Sequence, residues 1–407
     1  MPDLSRAIHF LRTSRLVAFP TETVYGLGAD ATNYWAIDLI YRTKGRPGTN
    51  PLIAHVADVE TARRYAAVWP DEAQQLADRF WPGPLTIVLP KRLPVAPPPH
   101  TTRHPLDDPE LAEGERPADA PLTASAPFTA YAPRHQFLIP DNATAGLPTV
   151  ALRVPNHPLA LDLLRAFGGA LVAPSANRST RVSPTTAKHV ADEFPTADAV
   201  THPHPSVPDP HYDRNIVPPI VHHRDVAPDP AHEPAMILDG GPCTVGIEST
   251  VVDLSDPANP TILRPGHVTA DQIAAVLGRP VHAGSLVTPT SIAAASPGQH
   301  DVHYAPATPA YRFTRDQRHS LRGRTPKGAA NGLIRIGFSP IPGGIMQERT
   351  VITLADDPAT YARELYTALR TLDAMALDAI YVQMPPDAPE WAAVRDRLRR
   401  ATRELPA

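Results

Sequence analysis

Cysteine is nearly absent from this 407-residue sequence, which contains only Cys243. A single cysteine excludes an intramolecular disulfide and a CxxC metal site. Its setting, DGGPCTVG, favours a small buried thiol over a catalytic nucleophile. The sequence also lacks an apolar run of about 18 residues, so we expect no membrane span. The arginine-interrupted N-terminus predicts an amphipathic helix rather than a signal peptide, and the expected location is the cytoplasm.

Lysine is also scarce, since Lys44, Lys91, Lys188 and Lys327 are the whole set. A formal net charge of −4 argues against a strongly basic nucleic-acid coat protein. The motifs contain no GxxxxGK[ST] phosphate loop and no paired catalytic carboxylates. GLGADA, residues 26–31, matches the dinucleotide pattern GxGxxA, but PTETVY separates it from the preceding strand. The sequence therefore gives little support to a nicotinamide or flavin site.

Proline, by contrast, is abundant, with 51 residues in the chain. Eighteen of them fall in two stretches, Val95–Arg134 and His202–Pro234. Because proline fixes φ and removes a hydrogen-bond donor, neither stretch can form a regular helix or a central strand. We interpret both as surface insertions or partly disordered loops.

Outside these stretches, strand-like segments alternate with helical patterns, which predicts an α/β fold. Residues 1–280 are predicted to form one domain on a mixed twisted sheet, carrying both insertions. Residues 281–309 lack periodicity and are interpreted as a linker. Residues 310–407 repeat the α/β rhythm and predict a small C-terminal domain with a Rossmann-like order of elements.

The segment YRTKGRPGTNPLIAH concentrates polar groups around a predicted helix end and strand. Lys44 and Arg46 lie where a helix dipole favours cations, so a structural explanation suffices for them. The functional alternative is a clamp in which both cations neutralise a triphosphate. Asn50 and His55 flank the strand that follows.

Other strand ends are polar as well. Arg153 sits in TVALRVP, a strand expected to be buried, so it needs either a structural carboxylate or an anionic ligand group as partner. Ser175 and Asn177 end a strand at the edge where α/β sheets bind ligands, and Ser183 is predicted to cap the next helix ahead of Pro184. No GxSxG motif accompanies these serines, so we interpret the hydroxyls as binding groups rather than nucleophiles.

Two motifs near the C-terminal end of the first predicted domain also place polar residues at strand ends. In GIESTVVDL and TILRPG, Ser249 and Thr250 begin one predicted strand and Arg264 ends another, which strand-end polarity alone could explain. Together the clusters supply hydroxyls, amides, a histidine, a lysine and arginines. This set suits the binding of a zwitterion and a nucleotide side by side, with catalysis by positioning.

The ordered series of motifs closely resembles the threonylcarbamoyl-AMP synthase family, the YrdC-like proteins. The series is FPTETVYGLGADA, YRTKGRPGTNPLIAHV, FWPGPLTIVLP, ALRVPNHPLALDLL, APSANRS, ILDGGPCTVGIESTVVDL and ILRPG. The similarity spans roughly residues 5–280, apart from the proline-rich stretches. SPGQHDVHYAPATP and the segment after it resemble the long form of the family, although SPGQHD is less basic than the usual linker.

The resemblance implies a reaction in which L-threonine, bicarbonate and ATP give threonylcarbamoyl-AMP and pyrophosphate, with Mg²⁺ accompanying the ATP. Downstream threonylcarbamoyl-transfer proteins would then modify the adenosine next to the anticodon in tRNAs that read codons beginning with A. A YrdC-like fold is part of this expectation, and contact with tRNA is possible.

The resemblance also implies roles for individual residues. L-threonine would be held by the turn Thr21–Gly28, with Arg153 as the bidentate partner of its carboxylate. Lys44 or Arg46 would stabilise the leaving pyrophosphate together with magnesium. The predicted L-threonine contacts are Thr23, His55, Arg153, Ser175 and Ser249. The predicted ATP contacts are Lys44, Arg46, Asn50, Thr149, Asn177, Ser183, Arg264 and Tyr304.

Two other function classes remain as alternatives. An RNA-binding regulator built on a YrdC-like domain is one, but the negative net charge and the lack of an aromatic and basic strand signature count against it. The other is a carbamoyl-adenylate enzyme of the kind found inside larger carbamoyltransferases. The C-terminal segment is too short for the additional transfer domain that such an enzyme needs.

Overall fold

The computed structural model describes residues 4–93, 138–195, 234–283, 303–317, 321, 329–337 and 349–405. The first proline-rich stretch, nearly all of the second and most of the predicted linker lie outside these residues, and so do the predictions made for them. None of the helices in the described ranges is long and apolar enough to cross a membrane.

The helices begin and end where the sequence supplies caps. The Asn33 side chain accepts hydrogen bonds from two backbone N–H groups of the helix that follows, and Gly45 ends that helix with a φ of 60°. Thr269 and Gln272 form a capping box. The α-helices span Leu4–Arg12, Tyr34–Lys44, Val59–Arg63, Asp71–Phe80, Pro158–Phe167, Ala187–Glu193, Ala270–Leu277, Pro358–Asp373 and Ala392–Ala401, with a 3₁₀ turn at Pro389–Trp391.

The larger sheet is mixed, as predicted. Its strands are β1 (Val17–Phe19), β2 (Gly26–Asp30), β3 (Ile53–His55), β4 (Leu85–Pro90), β5 (Thr149–Arg153), β6 (Leu171–Val172), β7 (Met236–Ile237), β8 (Thr250–Asp253), β9 (Thr261–Arg264) and β10 (His282–Ala283). Their order is β10-β9-β8-β4-β5-β3-β6-β2-β1-β7. Strand β5 pairs parallel to β3 and antiparallel to β4, so the ends of β3 and β5 meet at one edge.

The smaller sheet is parallel throughout its described pairings. Its strands are β11 (Ala310–Phe313), β12 (Asn331–Ile336), β13 (Arg349–Leu354), β14 (Ala379–Gln383) and β15 (Arg403–Glu404), in the order β13-β12-β14-β11-β15. The helix Pro358–Asp373 connects β13 to β14, and both of these strands pair in parallel with β12. This arrangement confirms the predicted Rossmann-like order of elements.

The two sheets share a hydrophobic cluster. Val24, Ile247 and Tyr304 pack in the same core as Tyr366 and Leu369 of the helix Pro358–Asp373. One close approach is at Gly246, where φ is +83° and an added Cβ would lie 2.3 Å from the Cα of Arg363. The helix Pro358–Asp373 therefore lies directly against the loop that carries Gly246.

Several predictions of local structure were wrong. The predicted turn Thr21–Gly28 ends at Tyr25, because Gly26–Asp30 forms strand β2 and pairs with β1. A dinucleotide-binding turn at GLGADA is thereby excluded. In such a motif the glycines form a turn between a strand and a helix, whereas here they lie within a strand. The helix predicted to start at Ser183 begins at Ala187, capped by Thr186 rather than by Ser183.

Cys243 matches its prediction. Its thiol is buried, and burial, the main cause, raises the pKa of the thiol to about 12. A thiol with such a pKa is protonated at neutral pH and is a poor nucleophile.

Candidate active site

A cavity opens where the ends of β2, β3, β5 and β9 meet the loops that carry Thr23, Arg46, Ser175, Glu248 and Tyr304. Its space amounts to about 520 Å³, including the part open to solvent. The polar side of its wall carries cationic, hydroxyl and imidazole groups. The lining residues are Thr21, Thr23, Val24, Gly26, Arg46, Ile53, His55, Arg153, Ala173, Pro174, Ser175, Glu248, Ser249, Arg264, His303 and Tyr304.

Most of the predicted site residues converge on this cavity. Those that line it are Thr23, Arg46, His55, Arg153, Ser175, Ser249, Arg264 and Tyr304. Those that do not line it are Lys44, Asn50, Thr149, Asn177 and Ser183. Thr149 begins β5, whereas Arg153 ends the same strand, so Thr149 lies toward the far end. The grouping is a geometric finding, and the ligand that each residue contacts stays a prediction.

Arg153 has the structural partner that the sequence left open. Its guanidinium lies 2.7 Å from a carboxylate oxygen of Glu22, and both side chains are buried. It also donates to Thr23 Oγ1 at 3.0 Å and to the carbonyl oxygen of Gly83 at 3.3 Å. The second carboxylate oxygen of Glu22 accepts from the backbone N–H of Asn156 at 2.9 Å. Arg153 is thus held rigidly, with its guanidinium on the cavity wall.

Arg46 and Arg264 are held through carbonyl oxygens. Arg46 donates to the carbonyls of Asn50 and Pro51 at 3.1 and 2.9 Å. Arg264 donates from two nitrogens to the carbonyl of Ser249, at 3.1 and 2.9 Å. Carbonyl oxygens orient a guanidinium without cancelling its charge, so both arginines retain cationic character toward an anionic ligand. Burial lowers the pKa of Arg46 to about 10, which still leaves it protonated at neutral pH.

Lys44 acts on the backbone of the strand-end loop. Its Nζ donates to the carbonyl of Ser175 at 2.6 Å and also to the carbonyl of Asn177. Burial, with Arg46 nearby, places the pKa of Lys44 well below its ordinary value. The contacts show Lys44 fixing the loop that carries Ser175, which the sequence did not predict.

Two carboxylates at the site were missed by the sequence analysis. Glu22 pairs with Arg153, and Glu248 lines the cavity while pairing with Arg397 at 2.8 Å. Ser183 donates to the other oxygen of Glu248 at 2.6 Å, which is its role in place of the predicted helix cap. The glutamates in TET and IES were visible in the motifs, but their cationic partners lie more than a hundred residues away.

Several polar atoms around the cavity have no protein partner among the described residues. They include His55 Nδ1, His303 Nδ1 and the Tyr304 hydroxyl, all in buried side chains. Buried polar atoms in native proteins are almost always hydrogen-bonded, to protein, water or ligand. These three atoms line a cavity, so a ligand with complementary donors and acceptors would satisfy them.

The histidines of the cavity are neutral. Burial, followed by the charge of Arg153, lowers the pKa of His55 to about 3. Burial, with Arg46 and Lys44 nearby, lowers the pKa of His303 well below its ordinary value. Both imidazoles can therefore accept a hydrogen bond at neutral pH without adding charge.

We expect His55 to make the protein lose stability in acid. A folded-state pKa of about 3 lies below the unfolded value, so the unfolded chain binds the proton first. This contribution to stability is intact above about pH 6.5 and is lost progressively as the pH falls toward 3. Between pH 7.5 and 5.5 the loss from His55 is about 1.4 kcal/mol.

The measurement is urea unfolding of wild type and His55→Gln at these two pH values. The variant is expected to lose about 1.4 kcal/mol less than wild type over the interval. His9→Gln, on an exposed face of the first helix, serves as the control and should follow wild type. An equal loss in wild type and His55→Gln would contradict the neutral, buried state of His55.

Two protein-family models match this chain. A family model described as "Telomere recombination", of the Sua5/YciO/YrdC type, matches residues 9–104 and 110–210. A second, described as "Threonylcarbamoyl-AMP synthase, C-terminal domain", matches residues 268–402.

Similar proteins and structures match over nearly the whole chain. A threonylcarbamoyl-AMP synthase of Bacillus subtilis is 34% identical, covering 98% of this chain and 93% of the relative. One of Pyrococcus abyssi is 33% identical, covering 97% and 93%. The crystal structure of P. abyssi Sua5 complexed with L-threonine aligns with a TM-score of 0.70 at 31% identity, covering 98% of this chain and 93% of that one.

Proposed function

Because the chain belongs to the threonylcarbamoyl-AMP synthase family, we propose that the cavity is where L-threonine, bicarbonate and ATP are joined into threonylcarbamoyl-AMP. The protein is an enzyme of the nucleotidyltransferase type, and its product serves N6-threonylcarbamoyladenosine formation in tRNA. The observation that carries the assignment to this cavity is that Arg46, Arg153 and Arg264 all line it.

The Arg153 side of the cavity suits the amino acid. A guanidinium held by Glu22 and Thr23 can direct its remaining N–H groups at a carboxylate in a planar, bidentate manner. Thr23 and Ser175 supply hydroxyls, and Ile53 supplies apolar surface for a methyl group. We assign L-threonine to this side, in keeping with the threonine reported for the P. abyssi structure.

The Arg46 and Arg264 side suits the nucleotide. Two cations anchored on carbonyl oxygens can neutralise phosphate oxygens, and Tyr304 lines the same cavity with a ring and a hydroxyl. Lys44 donates to the carbonyl oxygens of Ser175 and Asn177 and so holds the loop that borders the cavity, without lining the cavity itself. We therefore assign Lys44 a supporting contribution and Arg46 the direct contact with phosphate.

The chemistry needs electrostatic help more than a strong base. The threonine nitrogen adds to carbon dioxide derived from bicarbonate, forming a carbamate. A carbamate oxygen then attacks the α-phosphorus, a new P–O bond forms, and the bond to pyrophosphate breaks. Both partners of the second step are anionic, so fixed cations such as Arg46 and Arg264 lower their repulsion and stabilise the charge of the leaving group.

Magnesium is expected to arrive with the nucleotide. The described residues contain no group of three or more His, Cys, Asp or Glu side chains that could hold a metal ion. Among the described residues the side-chain oxygens of Asn50 and Asn177 have no hydrogen-bond partner, but neither residue lines the cavity, so the ion would be held mainly by the phosphate oxygens. When bound, such an ion would neutralise charge on the pyrophosphate.

The remaining partners belong to the same proposal. Bicarbonate is the carbon source, and downstream transfer proteins receive the adenylate in the cytoplasm, where tRNA is modified. The RNA-binding regulator is not favoured, because relatives that align over nearly the whole chain are named as synthases.

Pyrophosphate release tests the proposed substrates. We expect release from Mg²⁺-ATP to depend on both L-threonine and bicarbonate. L-Serine, which lacks one methyl group, should support it at least about tenfold less well, given the usual value of one methyl in an apolar pocket. Release that is unchanged when L-threonine or bicarbonate is omitted would overturn the proposal.

A further inference from the structure

An arginine of the C-terminal domain contacts a residue of the cavity wall. Arg397, in the helix Ala392–Ala401, is fully buried and lies 2.8 Å from a carboxylate oxygen of Glu248. The Nη2 atom of Arg397 lies 3.4 Å from the Glu248 carbonyl oxygen. The Nη1 atom donates to a carboxylate oxygen of Asp396 at 2.7 Å, and the Nε atom of Arg400 donates to the Asp396 carboxylate at 3.1 Å. Each nitrogen of Arg397 thus has a defined partner.

Glu248 is bound on both of its oxygens. Ser183 donates to Oε1 at 2.6 Å, whereas Tyr366 and Arg397 both donate to Oε2, at 2.9 and 2.8 Å. Tyr366 and Arg397 come from the C-terminal domain, whereas Ser183 and Glu248 come from the first domain. Glu248 and Ser249 line the cavity, so the C-terminal domain determines where this part of the wall lies.

Arg397 also contacts the aromatic wall. Its guanidinium lies over the ring of Tyr304, 5.1 Å from the centroid. On another side the Tyr304 ring stacks on Tyr366, with centroids 5.7 Å apart and planes at 25°. Tyr304 lines the cavity and is completely buried, so the ring has little freedom to move.

We propose that Arg397 is a positioning residue for the synthase reaction: it fixes Glu248 and Tyr304 in the cavity wall and thereby supports nucleotide binding. This inference rests on the proposed function of the cavity. Arg397 does not line the cavity, so it acts through the two residues that it holds. A planar guanidinium can bind a carboxylate and stack on a ring at once, which a lysine cannot do equally well.

The nucleotide is the ligand expected to respond. Arg264 donates to the carbonyl and hydroxyl oxygens of Ser249, the residue after Glu248, so a displaced Glu248 would shift an arginine assigned to phosphate. Arg153 is held separately, by Glu22 and Thr23, and is not part of this network. Loss of Arg397 should therefore affect ATP more than L-threonine.

The test measures the ATP dissociation constant by calorimetry and the two KM values by pyrophosphate release, using the full chain. Arg397→Met is expected to weaken ATP binding at least about tenfold and to change the KM for L-threonine by less than about threefold. Arg397→Lys should fall between Arg397→Met and wild type. Arg399→Met, on the exposed face of the same helix, is the matched control and should behave as wild type.

A double-variant comparison identifies the route. If Arg397 acts through Glu248, the double variant Glu248→Gln/Arg397→Met should have an ATP affinity no lower than that of the single variant with the lower ATP affinity. Should Arg397→Met fail to fold, Tyr366→Phe removes only the hydroxyl on Glu248 and should weaken ATP binding about threefold.

The outcomes separate this inference from the proposed function. ATP binding within about twofold of wild type in both Arg397→Met and Tyr366→Phe would overturn the positioning role. Wild type that binds ATP but shows no threonine-dependent turnover would overturn the proposed function, while the binding constants would still decide the role of Arg397. Wild type that does not bind ATP would overturn both.

Discussion

Replacing Arg153 with methionine is expected to reduce threonine-dependent pyrophosphate release by at least about a hundredfold, mainly through the KM for L-threonine. The guanidinium would lose two charge-assisted hydrogen bonds to the substrate carboxylate, each worth about 1.5–3 kcal/mol. Arg153→Lys should recover only part of the loss, because an ammonium group cannot make the bidentate contact.

The same substitution also affects folding, and a second variant separates the two effects. Removing Arg153 leaves Glu22 buried without its cation, which typically costs about 3–5 kcal/mol. Glu22→Gln combined with Arg153→Met removes the unpaired charge and should recover much of the stability. The double variant should nevertheless remain defective toward L-threonine. Arg165→Met, at an exposed position, is the control, and an unchanged threonine KM in Arg153→Met would contradict the assignment.

Substituting alanine at Gly246 is expected to destabilise the packing between the two domains and to lower the free energy of unfolding. The residue has a φ of +83°, and an added Cβ would lie 2.3 Å from the Cα of Arg363 and 2.7 Å from the carbonyl oxygen of Ala362. Both are backbone atoms of the helix Pro358–Asp373, so they cannot rotate away as a flexible side chain could. The left-handed conformation costs about 1–2 kcal/mol and the overpacking about 1–3 kcal/mol more.

Gly241→Ala is a closely matched control for Gly246→Ala. Gly241 has the same φ of +83°, but an added Cβ there meets nothing within 4 Å. The difference in unfolding free energy between the two variants therefore isolates the contact with the helix Pro358–Asp373. This difference should be about 1–3 kcal/mol. Because the contact adjoins Glu248, Gly246→Ala should also weaken ATP binding, whereas Gly241→Ala should not. Equal effects of the two substitutions would contradict direct packing of the domains at this loop.

The local parts of the fold could be predicted from sequence. The mixed first sheet and the small C-terminal α/β domain are confirmed. These features depend on periodicity and caps, which are short-range properties. Strand β2 was missed because its sequence, GLGAD, has the glycines of a turn, and its strand conformation depends on pairing with β1 and β6.

The candidate site was predicted in part for the same reason. Polar residues at strand ends identified Arg153, Ser175 and Arg264, because the ends of neighbouring strands meet at one edge of a sheet. The partners of the buried charges could not be predicted. Glu22 meets Arg153 across 131 residues of sequence, and Glu248 meets Arg397 across 149. The sequence predicted Ser183 as the helix cap, but Thr186, three residues later, can make the same hydrogen bond. Tertiary packing decides between them: Thr186 caps the helix and Ser183 donates to Glu248.

Isotope incorporation shows whether this chain joins L-threonine, bicarbonate and ATP in one product. The full chain would be incubated with carbon-labelled bicarbonate, L-threonine and Mg²⁺-ATP, and the nucleotide products analysed by mass spectrometry. We predict a single adenylate that contains both threonine and the labelled carbon, formed together with pyrophosphate and strongly reduced in Arg153→Met. An adenylate without the label, or AMP and pyrophosphate alone under conditions that preserve the product, would contradict the account.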